Sequence, residues 1–390
     1  MKDLLREFSA EANERVAKLL ELRDAGGVKI VEHTGSFCPE EIIYAAGAKA
    51  YLMCRGGDPE PAEAVLEYLL RVMNPYVRTM AGQYLMGIDT LTENADLVVF
   101  QETDCQIGRV SELMEYLKLP VYKLGVPVDW KKDISYEYYV RALGKFKAKL
   151  EELTGTVIDD EKLLPQIKLQ NRINALLREI DELRKTDNPP ITGYDFIRMC
   201  HYTFFVDPER AIEYLERAVD IAKSSAGAFA APKAPRILLA GHVVAVGDYV
   251  VPMLIEESGG AIVCEMLDEG VRHFRHDVST EGDLVRNIAH RNYYEKLPPD
   301  IFQPAYRDRF EIMKKLVADY RVDGVVWYQL VFDEIYDMEA ACIGKWLREM
   351  NVPFLKLESS YEYSREAMGP LKTRIESFVG SVKRQGGKNE

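Results

Sequence analysis

The stretch from Asp96 to Pro127 constrains the fold of this chain more than any other segment. It contains an unbroken apolar run at Leu97–Phe100, a polar turn, a helical pattern of apolar residues, and a second apolar run at Val121–Leu124. Short apolar runs that alternate with amphipathic helices are typical of parallel sheets, because helices cover both faces of such a sheet. The segment therefore predicts a strand, a helix and a neighbouring parallel strand.

The same pattern recurs on both sides of a long helical section. Further strands are predicted at Val28–Glu32, Ala50–Cys54, Ile237–Ala240, Ala261–Cys264, Val322–Leu330 and Pro353–Leu357. Helices are predicted at the N-terminus, at Glu60–Met73, over most of 136–184 with a break at Gly155, and at 192–205 and 208–224. Alternating strands and helices imply right-handed crossovers and parallel sheets.

We therefore expect an α/β protein with two doubly wound parallel-sheet domains, a helical insertion and an N-terminal helix. The expected divisions are 1–155 for the N-terminal helix and first α/β domain, 156–232 for the helical region, and 233–390 for the second α/β domain. One large sheet is the alternative.

Composition excludes several classes of protein. The net charge of −13 comes from interspersed acidic and basic residues, which argues against nucleic acid as a partner. No apolar run is long enough to span a membrane, and the charged N-terminal helix lacks the features of a signal peptide, so we expect a cytoplasmic protein. The six Cys form no CxxC pair, which excludes a zinc finger or ferredoxin motif but not a cluster whose ligands converge from distant strand ends.

Several nucleotide-binding and catalytic motifs are absent from the sequence. It contains no GxxxxGK[ST], no GxGxxG after a strand, no GxSxG and no HExxH. A P-loop ATPase, a standard dinucleotide-binding domain and the common hydrolase and metalloprotease sites are therefore not indicated.

Two cysteines follow predicted strands directly. Cys105 lies in the turn after Leu97–Phe100, and Cys38 lies in the corresponding turn after Val28–Glu32. Ligands of open α/β sheets bind beyond the carboxyl ends of strands, and a helix N-terminus favours an anionic thiolate. Both cysteines are therefore candidate metal ligands that could face one crevice, and two unrelated buried thiols are the alternative.

A glycine-rich loop at 241–247 follows the predicted strand Ile237–Ala240. Gly241 and His242 at its start could contact the phosphate or amide arm of a ligand, although a simple tight turn would use the same residues.

Several segments, taken together, resemble a known family. They are CPEEIIYAAGA (38–48), NPYVRTMAGQYL (74–85), TDCQIG (103–108), RILLAG with IEESGGAIV (236–263), RVDGVV (321–326), and NVPFLKLESSY with PLKTRIESF (351–378). In this order and spacing they resemble the D-component subunits of 2-hydroxyacyl-CoA dehydratases. That family is related to the catalytic subunits of benzoyl-CoA reductase and to double-cubane cluster proteins.

The resemblance implies a fold, a cofactor and partners. It implies two flavodoxin-like domains, an oxygen-sensitive [4Fe-4S] cluster held by three Cys, a homologous second subunit, and a separate ATP-dependent activator protein that delivers one electron. The implied reaction is ketyl-radical reduction and dehydration of an acyl-CoA thioester. A thioester carbonyl accepts an electron only at very negative potential, which iron–sulfur clusters can reach.

Within this interpretation, position in the chain suggests roles for individual residues. Ser36, Glu40 and Glu41, at the start of the second predicted helix, would handle protons, and Cys105 and Cys38 would bind metal. The substrate contacts would be Asn74, Arg78, Gly241, His242 and Phe332.

This chain departs from the family pattern at two cluster positions. Asn74 and Phe332 stand where the family usually has Cys ligands. Of the three cluster positions, only Cys105 therefore carries a thiol. If the motifs align, Asn74, Cys105 and Phe332 should converge on one crevice between the two halves, with Phe332 filling apolar volume. Neither an amide nor a phenyl ring can donate a thiolate.

Three interpretations remain open at this point. The first is a subunit of a 2-hydroxyacyl-CoA dehydratase or benzoyl-CoA reductase type complex that acts on an acyl-CoA thioester. The second is a cluster-free partner that binds and shapes a catalytic homologue. The third is a homodimeric iron–sulfur reductase of small molecules that uses Cys38, Cys105 and further cysteines.

Overall fold

The computed structural model of the protein describes residues 1–129, 131–230, 233–297 and 305–386. Within these ranges, eight strands form two four-stranded sheets, and all neighbouring strands within each sheet are parallel. This arrangement confirms the prediction of two doubly wound sheets, and the alternative of a single large sheet is wrong.

The first sheet has the strand order β2-β1-β3-β4. Its strands are β1 (Ile30–His33), β2 (Lys49–Leu52), β3 (Leu97–Glu102) and β4 (Val121–Gly125). β3 is buried along its length except at Glu102, as expected for a central parallel strand that helices cover on both faces. The order is that of flavodoxin-like sheets.

The second sheet repeats this order as β6-β5-β7-β8. Its strands are β5 (Arg236–Val243), β6 (Ala261–Glu269), β7 (Gly324–Leu330) and β8 (Phe354–Ser359). Each of the eight predicted strands coincides with an observed one to within a few residues, because buried parallel strands are continuous apolar runs that a sequence displays directly.

Helices flank both sheets. Those of the first half are α1 (Lys2–Asp24), α2 (Glu40–Ala45), α3 (Pro59–Ala64), α4 (Pro75–Leu85), α5 (Thr90–Asn94), α6 (Cys105–Tyr116) and α7 (Asp133–Thr154). Then come α8 (Asp160–Leu183), α9 (Gly193–Tyr202) and α10 (Pro208–Ser224), followed by α11 (Val250–Glu257), α12 (Leu284–His290), a π-helical turn (Arg291–Glu295), α13 (Ala305–Asp319), α14 (Glu334–Glu349) and α15 (Arg365–Gly386).

The helical section between the sheets begins where the sequence predicted a break. Gly155 has a left-handed φ of 70° at the C-terminus of α7, a conformation that glycine adopts at little cost. The helices α8, α9 and α10 follow, and α1 packs against α9 and α10. Residues 231 and 232, at the expected second domain boundary, lie outside the described ranges.

The predicted helix Glu60–Met73 is wrong beyond Ala64, where α3 ends. Its apolar residues do not share one buried face, since Ala62 and Val65 are buried whereas Leu70 and Val72 are exposed. Helical periodicity in this stretch therefore does not reflect one packed helix.

One of the hydrophobic clusters extends across both halves. Phe8 of α1, Phe100 of β3 and Leu239 of β5 belong to the same cluster of buried residues. The backbones of the halves also meet, since Val246 donates to the Cys54 carbonyl oxygen at 2.8 Å and accepts from the Gly56 amide at 3.0 Å. The carboxyl ends of the two sheets are therefore fixed against each other.

Candidate functional site

The central strands of each sheet, β1 and β3 in one and β5 and β7 in the other, define its switch point. Crossovers leave such a strand pair in opposite directions, so a crevice opens beyond their carboxyl ends. Polar side chains that follow these strands form two clusters.

The first group, called here the Asp333 cluster, consists of Asn74, Gln106, His242, Phe332 and Asp333. Oδ2 of Asp333 accepts hydrogen bonds from His242 Nδ1 (2.6 Å) and Asn74 Nδ2 (3.0 Å). Gln106 accepts from the Asn74 backbone N–H at 2.6 Å and donates to the Phe332 carbonyl oxygen at 3.1 Å. The cluster thus joins α4 and α6 of the first half to the ends of β5 and β7.

Asn74 is held at both ends of its amide group. It is the N-cap of α4, where its Oδ1 accepts from the Tyr76 backbone N–H at 2.9 Å and Pro75 takes the first helical position. Asn and Pro are favoured at these two positions. Because Oδ1 caps the helix and Nδ2 bonds to Asp333, Asn74 is a structural link across the crevice.

Phe332 and Cys105 lie at the edge of this cluster. Cys105 is exposed and begins α6, which Asp104 caps by accepting hydrogen bonds from the N–H groups of Gln106 and Ile107. Phe332 has a left-handed φ of 64° and a relative exposure of 41 %. The expectation that Phe332 fills buried apolar volume is wrong, because much of its side chain remains accessible to solvent.

His242 is oriented by its neighbours. A carboxylate can only accept hydrogen bonds, so Nδ1 of His242 carries the hydrogen that bonds to Asp333. The imidazole stacks on Tyr336, with ring centroids 4.3 Å apart and planes inclined by 14°. Tyr336 in turn donates to Asp268, which also pairs with the buried Arg309. The ring is therefore held in one orientation, with Nδ1 toward Asp333.

The second group, called here the Ser36 cluster, consists of Ser36, Gln101, Glu269 and Lys296. Ser36 Oγ donates to Glu269 Oε1 at 3.1 Å and accepts from Lys296 Nζ at 2.5 Å. Gln101 Nε2 donates to the same carboxylate oxygen at 2.9 Å. Burial lowers the pKa of Lys296 to about 8, although Glu269 and Asp268 oppose this shift. Residues of both halves thus form one hydrogen-bonded unit.

Glu40 and Glu41 are both buried and paired with arginine. Glu40 accepts from Arg272 at 3.2 Å and lies 3.4 Å from His33 Nε2, whereas Glu41 pairs with Arg291 at 2.9 Å. Burial alone would raise the pKa of Glu40, but Arg272 and His33 outweigh it and lower the pKa to about 2. Glu40 therefore remains ionised at neutral pH.

Cys38 and Cys105 occupy different environments. Cys38 is buried in a second hydrophobic cluster, where desolvation and the nearby Glu40 and Glu41 carboxylates raise the pKa of its thiol well above the ordinary value. Such a thiol is a poor source of thiolate. Cys105 is exposed on the edge of the Asp333 cluster.

The two remaining candidate substrate contacts, Arg78 and Gly241, have structural roles in the backbone. Arg78 is buried and donates to the carbonyl oxygens of Met73 (3.1 Å) and Ala62 (2.7 Å). Gly241 has a φ of 142°, and a Cβ there would lie 1.8 Å from the Tyr328 carbonyl oxygen. Both residues therefore hold chain segments together near the crevice.

The side chains of this site can be compared with those that the [4Fe-4S] cluster implied by the resemblance would require. In the part of the chain that the structure describes, no three His, Cys, Asp or Glu side chains come together to hold a metal ion. The motif positions offer an amide that is already hydrogen-bonded (Asn74), a phenyl ring (Phe332) and one thiol (Cys105). These residues do not fit a cluster held by three thiolates of this chain.

Sequence reasoning missed five residues of the two clusters: Gln101, Gln106, Glu269, Lys296 and Asp333. Three of these have a sequence signal, because Gln101 and Asp333 directly follow apolar runs and Gln106 follows a predicted ligand, whereas Glu269 follows the acidic Asp268 and has no such signal. Lys296 lies between two helices in a polar segment and has none.

None of the described helices is both long and apolar enough to cross a membrane.

Comparison with known proteins gives relatives that align with nearly the whole chain. YjiM of Escherichia coli (strain K12), named as a dehydratase subunit, is 26 % identical over 377 residues, which is 96 % of each chain. One of the benzoyl-CoA reductase subunits of Thauera aromatica is 22 % identical over 369 residues, which is 91 % of each chain.

The beta subunit of (R)-2-hydroxyglutaryl-CoA dehydratase from Acidaminococcus fermentans is 21 % identical over 369 residues, covering 92 % of this chain and 93 % of the relative. The family model described as 2-hydroxyglutaryl-CoA dehydratase, D-component, matches residues 35–382. This match includes both polar clusters and every strand except β1, and it shows that the chain belongs to the 2-hydroxyglutaryl-CoA dehydratase D-component family.

Proposed function

We propose that this chain is a subunit of a complex of the 2-hydroxyacyl-CoA dehydratase or benzoyl-CoA reductase type, and that it supports a homologous catalytic subunit without holding a three-thiolate cluster of its own. The observation that carries the second part is the placement of Asn74, whose side-chain amide is engaged by Asp333 and by the N-terminus of α4. A residue used in this way stabilises the crevice but supplies no anionic sulfur.

Family membership supports the first part of the proposal. The two relatives with named reactions are subunits of enzymes that act on CoA thioesters, and they align with 91 % and 92 % of this chain. An acyl-CoA thioester is therefore the proposed substrate of the complex, with an ATP-dependent activator protein as the source of electrons.

The chain's own residues would then bind and orient the acyl group. In this proposal His242, fixed by Asp333 and Tyr336, presents its imidazole to the ligand, and Ser36 presents a hydroxyl. Glu40 and Glu41 remain paired with arginines and set the charge of the surrounding wall. Removing the carboxylate of Asp333 would free both His242 and Asn74 and loosen the crevice.

The two candidate cysteines have different roles in the proposed complex. Cys38 is buried with a raised pKa, so a joint metal site with Cys105 is not included. Cys105 is exposed and could complete a site that another subunit provides.

The proposal predicts the iron content of anaerobically prepared protein. The isolated chain should contain negligible iron and sulfide. Co-expression with a homologous catalytic subunit should give a stable complex that turns over an acyl-CoA thioester and holds only the iron of the partner. A full cluster in the isolated wild-type chain would overturn the cluster-free assignment.

A gain-of-ligand variant tests the site directly. Asn74→Cys combined with Phe332→Cys would place two thiols beside Cys105, and we expect roughly four iron atoms per chain with cluster absorption after anaerobic reconstitution. Adding Cys105→Ser to the pair is the matched control and should abolish iron binding. Equal iron uptake by both variants would show that the three positions do not form one site.

A further inference from the structure

Lys296 lies between two cavities of different size. A chamber of about 400 Å³ between α8, α9, β6 and α13 has Lys296 in its wall. A smaller cavity of about 50 Å³, called here the inner cavity, is lined by Ser36 and Glu269. The cavities adjoin, since both are lined by Val271, Arg272, His273 and Arg291. Lys296, Ser36 and Glu269 therefore occupy the partition between the chamber and the inner cavity.

The hydrogen bonds across this partition run in one direction. Lys296 Nζ donates to Ser36 Oγ at 2.5 Å, and Ser36 Oγ donates to Glu269 Oε1 at 3.1 Å. Gln101 holds the acceptor in place through its 2.9 Å bond to Glu269 Oε1. Each donor is thus aligned with the next acceptor, as the transfer of protons along a chain of groups requires.

The surroundings of Lys296 suit proton exchange. Its relative exposure is 5 %, and its Nζ lies 3.4 Å from the centroid of the Phe37 ring. Burial lowers the pKa of its amine to about 8, while Glu269 and Asp268 raise it. Charged and neutral amine are therefore both populated near neutral pH, which an ordinary lysine does not achieve.

We propose that Lys296, Ser36 and Glu269 form a proton relay between the large chamber and the inner cavity. Lys296 gives an Nζ proton to Ser36 Oγ while Ser36 gives its hydroxyl proton to Glu269, so an ammonium and a carboxylate become an amine and a carboxylic acid. Glu269 then passes the proton to a group in the inner cavity, and water in the chamber reprotonates Lys296.

The identity of the final acceptor rests on the proposed function. In dehydration of a 2-hydroxyacyl thioester, the departing hydroxyl group requires a proton, and the inner cavity is where Glu269 would supply it. The hydrogen bonds that link Lys296, Ser36 and Glu269 lie within this one chain. Electrostatic coupling between Lys296 and Glu269 can therefore be measured without substrate or partner.

The first test is a lysine titration by NMR of the full chain. The ε-carbon signal of Lys296, assigned from its absence in Lys296→Met, should titrate near pH 8. In Glu269→Gln the midpoint should fall by about one unit or more, because the carboxylate that favours the charged amine is lost. Lys315→Met, which removes another lysine of the chamber wall, should leave the midpoint unchanged.

A midpoint near that of an ordinary lysine in the wild type, or one that does not move in Glu269→Gln, would overturn the relay. Circular dichroism of each variant excludes loss of fold as the cause. Glu269→Gln keeps the shape of the side chain, so the comparison remains interpretable.

The second test uses the reconstituted complex. Lys296→Met should lower kcat about 100-fold with little change in KM and remove the alkaline limb of the pH profile, and Lys296→Arg should move that limb upward. A Lys296→Met complex with wild-type kcat and pH profile would overturn the relay. If the wild-type complex acts on no acyl thioester, the proposed function fails, and the NMR titration alone decides whether Lys296 and Glu269 are coupled.

Discussion

At the scale of single residues, backbone geometry restricts what can stand beside the crevice. Gly241 precedes His242 in β5 and pairs with Tyr328 of β7. Its φ of 142° and the 1.8 Å approach of the Tyr328 carbonyl oxygen to the site of a Cβ leave no room for a side chain. The glycine that the sequence suggested for ligand contact is thus required first for strand pairing, and its proposed contact with a ligand depends on that pairing.

The first prediction concerns this glycine. Gly241→Ala should destabilise the protein by about 2 kcal/mol or more, since it adds backbone strain and forces β5 and β7 apart. Gly144→Ala is the matched control, because Gly144 lies in α7 with open space around it, and it should stabilise the helix by about 0.5–1 kcal/mol. Denaturant unfolding of both variants measures the difference, and equal midpoints would contradict the strain argument.

At the scale of elements, the loop between β5 and α11 is tied to the ends of β7 and β8 by a buried carboxyl group. Asp248 accepts hydrogen bonds from Tyr328 Oη (2.5 Å) and Tyr363 Oη (2.6 Å). Burial raises the pKa of Asp248 to about 6, although the two tyrosine hydroxyls act against this shift. The folded protein therefore holds this proton at a pH where the unfolded chain has released it.

The second prediction follows from the sign of that shift. A carboxyl group whose pKa is higher in the folded state contributes stability below its unfolded value near 3.9, and this contribution is lost as pH rises through about 6. Wild type should therefore lose about 2 kcal/mol of stability relative to Asp248→Asn between pH 4 and pH 7. Urea unfolding at both pH values provides the measurement, and a pH-independent difference would show that Asp248 titrates normally.

At the scale of the whole molecule, the two sheets behave structurally as one body. Core residues of α1, β3 and β5 belong to one buried cluster, and Arg272 joins the second half to Glu40 of the first. Both polar clusters also draw residues from each half. Independent unfolding of one half would expose the shared core and leave buried charges without partners, and each of these is costly.

The third prediction is therefore a single unfolding transition. Hydrogen exchange measured by mass spectrometry across a urea series should give the same midpoint for peptides containing β3 and β7. Phe8→Ala, which removes a buried ring stacked 4.4 Å from Tyr214, should lower both midpoints together. Two separate midpoints in the wild type would show that the halves are energetically independent.

The sequence by itself determined the strands, their parallel arrangement and the division into two α/β halves, because buried parallel strands and amphipathic helices are local patterns. It also singled out Asn74, His242 and Phe332 as candidate substrate contacts, and the structure brings the elements that carry them together. The early end of α3 was decided by packing, since periodicity does not reveal which apolar residues find a neighbour.

The partners of the site residues were decided by the tertiary structure alone. Ser36 meets Glu269 and Lys296 across more than 230 positions of sequence, and no local pattern relates residues so far apart. The lowered pKa of Lys296 likewise arises from desolvation in a partition that exists only after the two halves have packed. Chain order fixes which elements form, whereas burial and long-range contact fix the charge and orientation of the side chains between them.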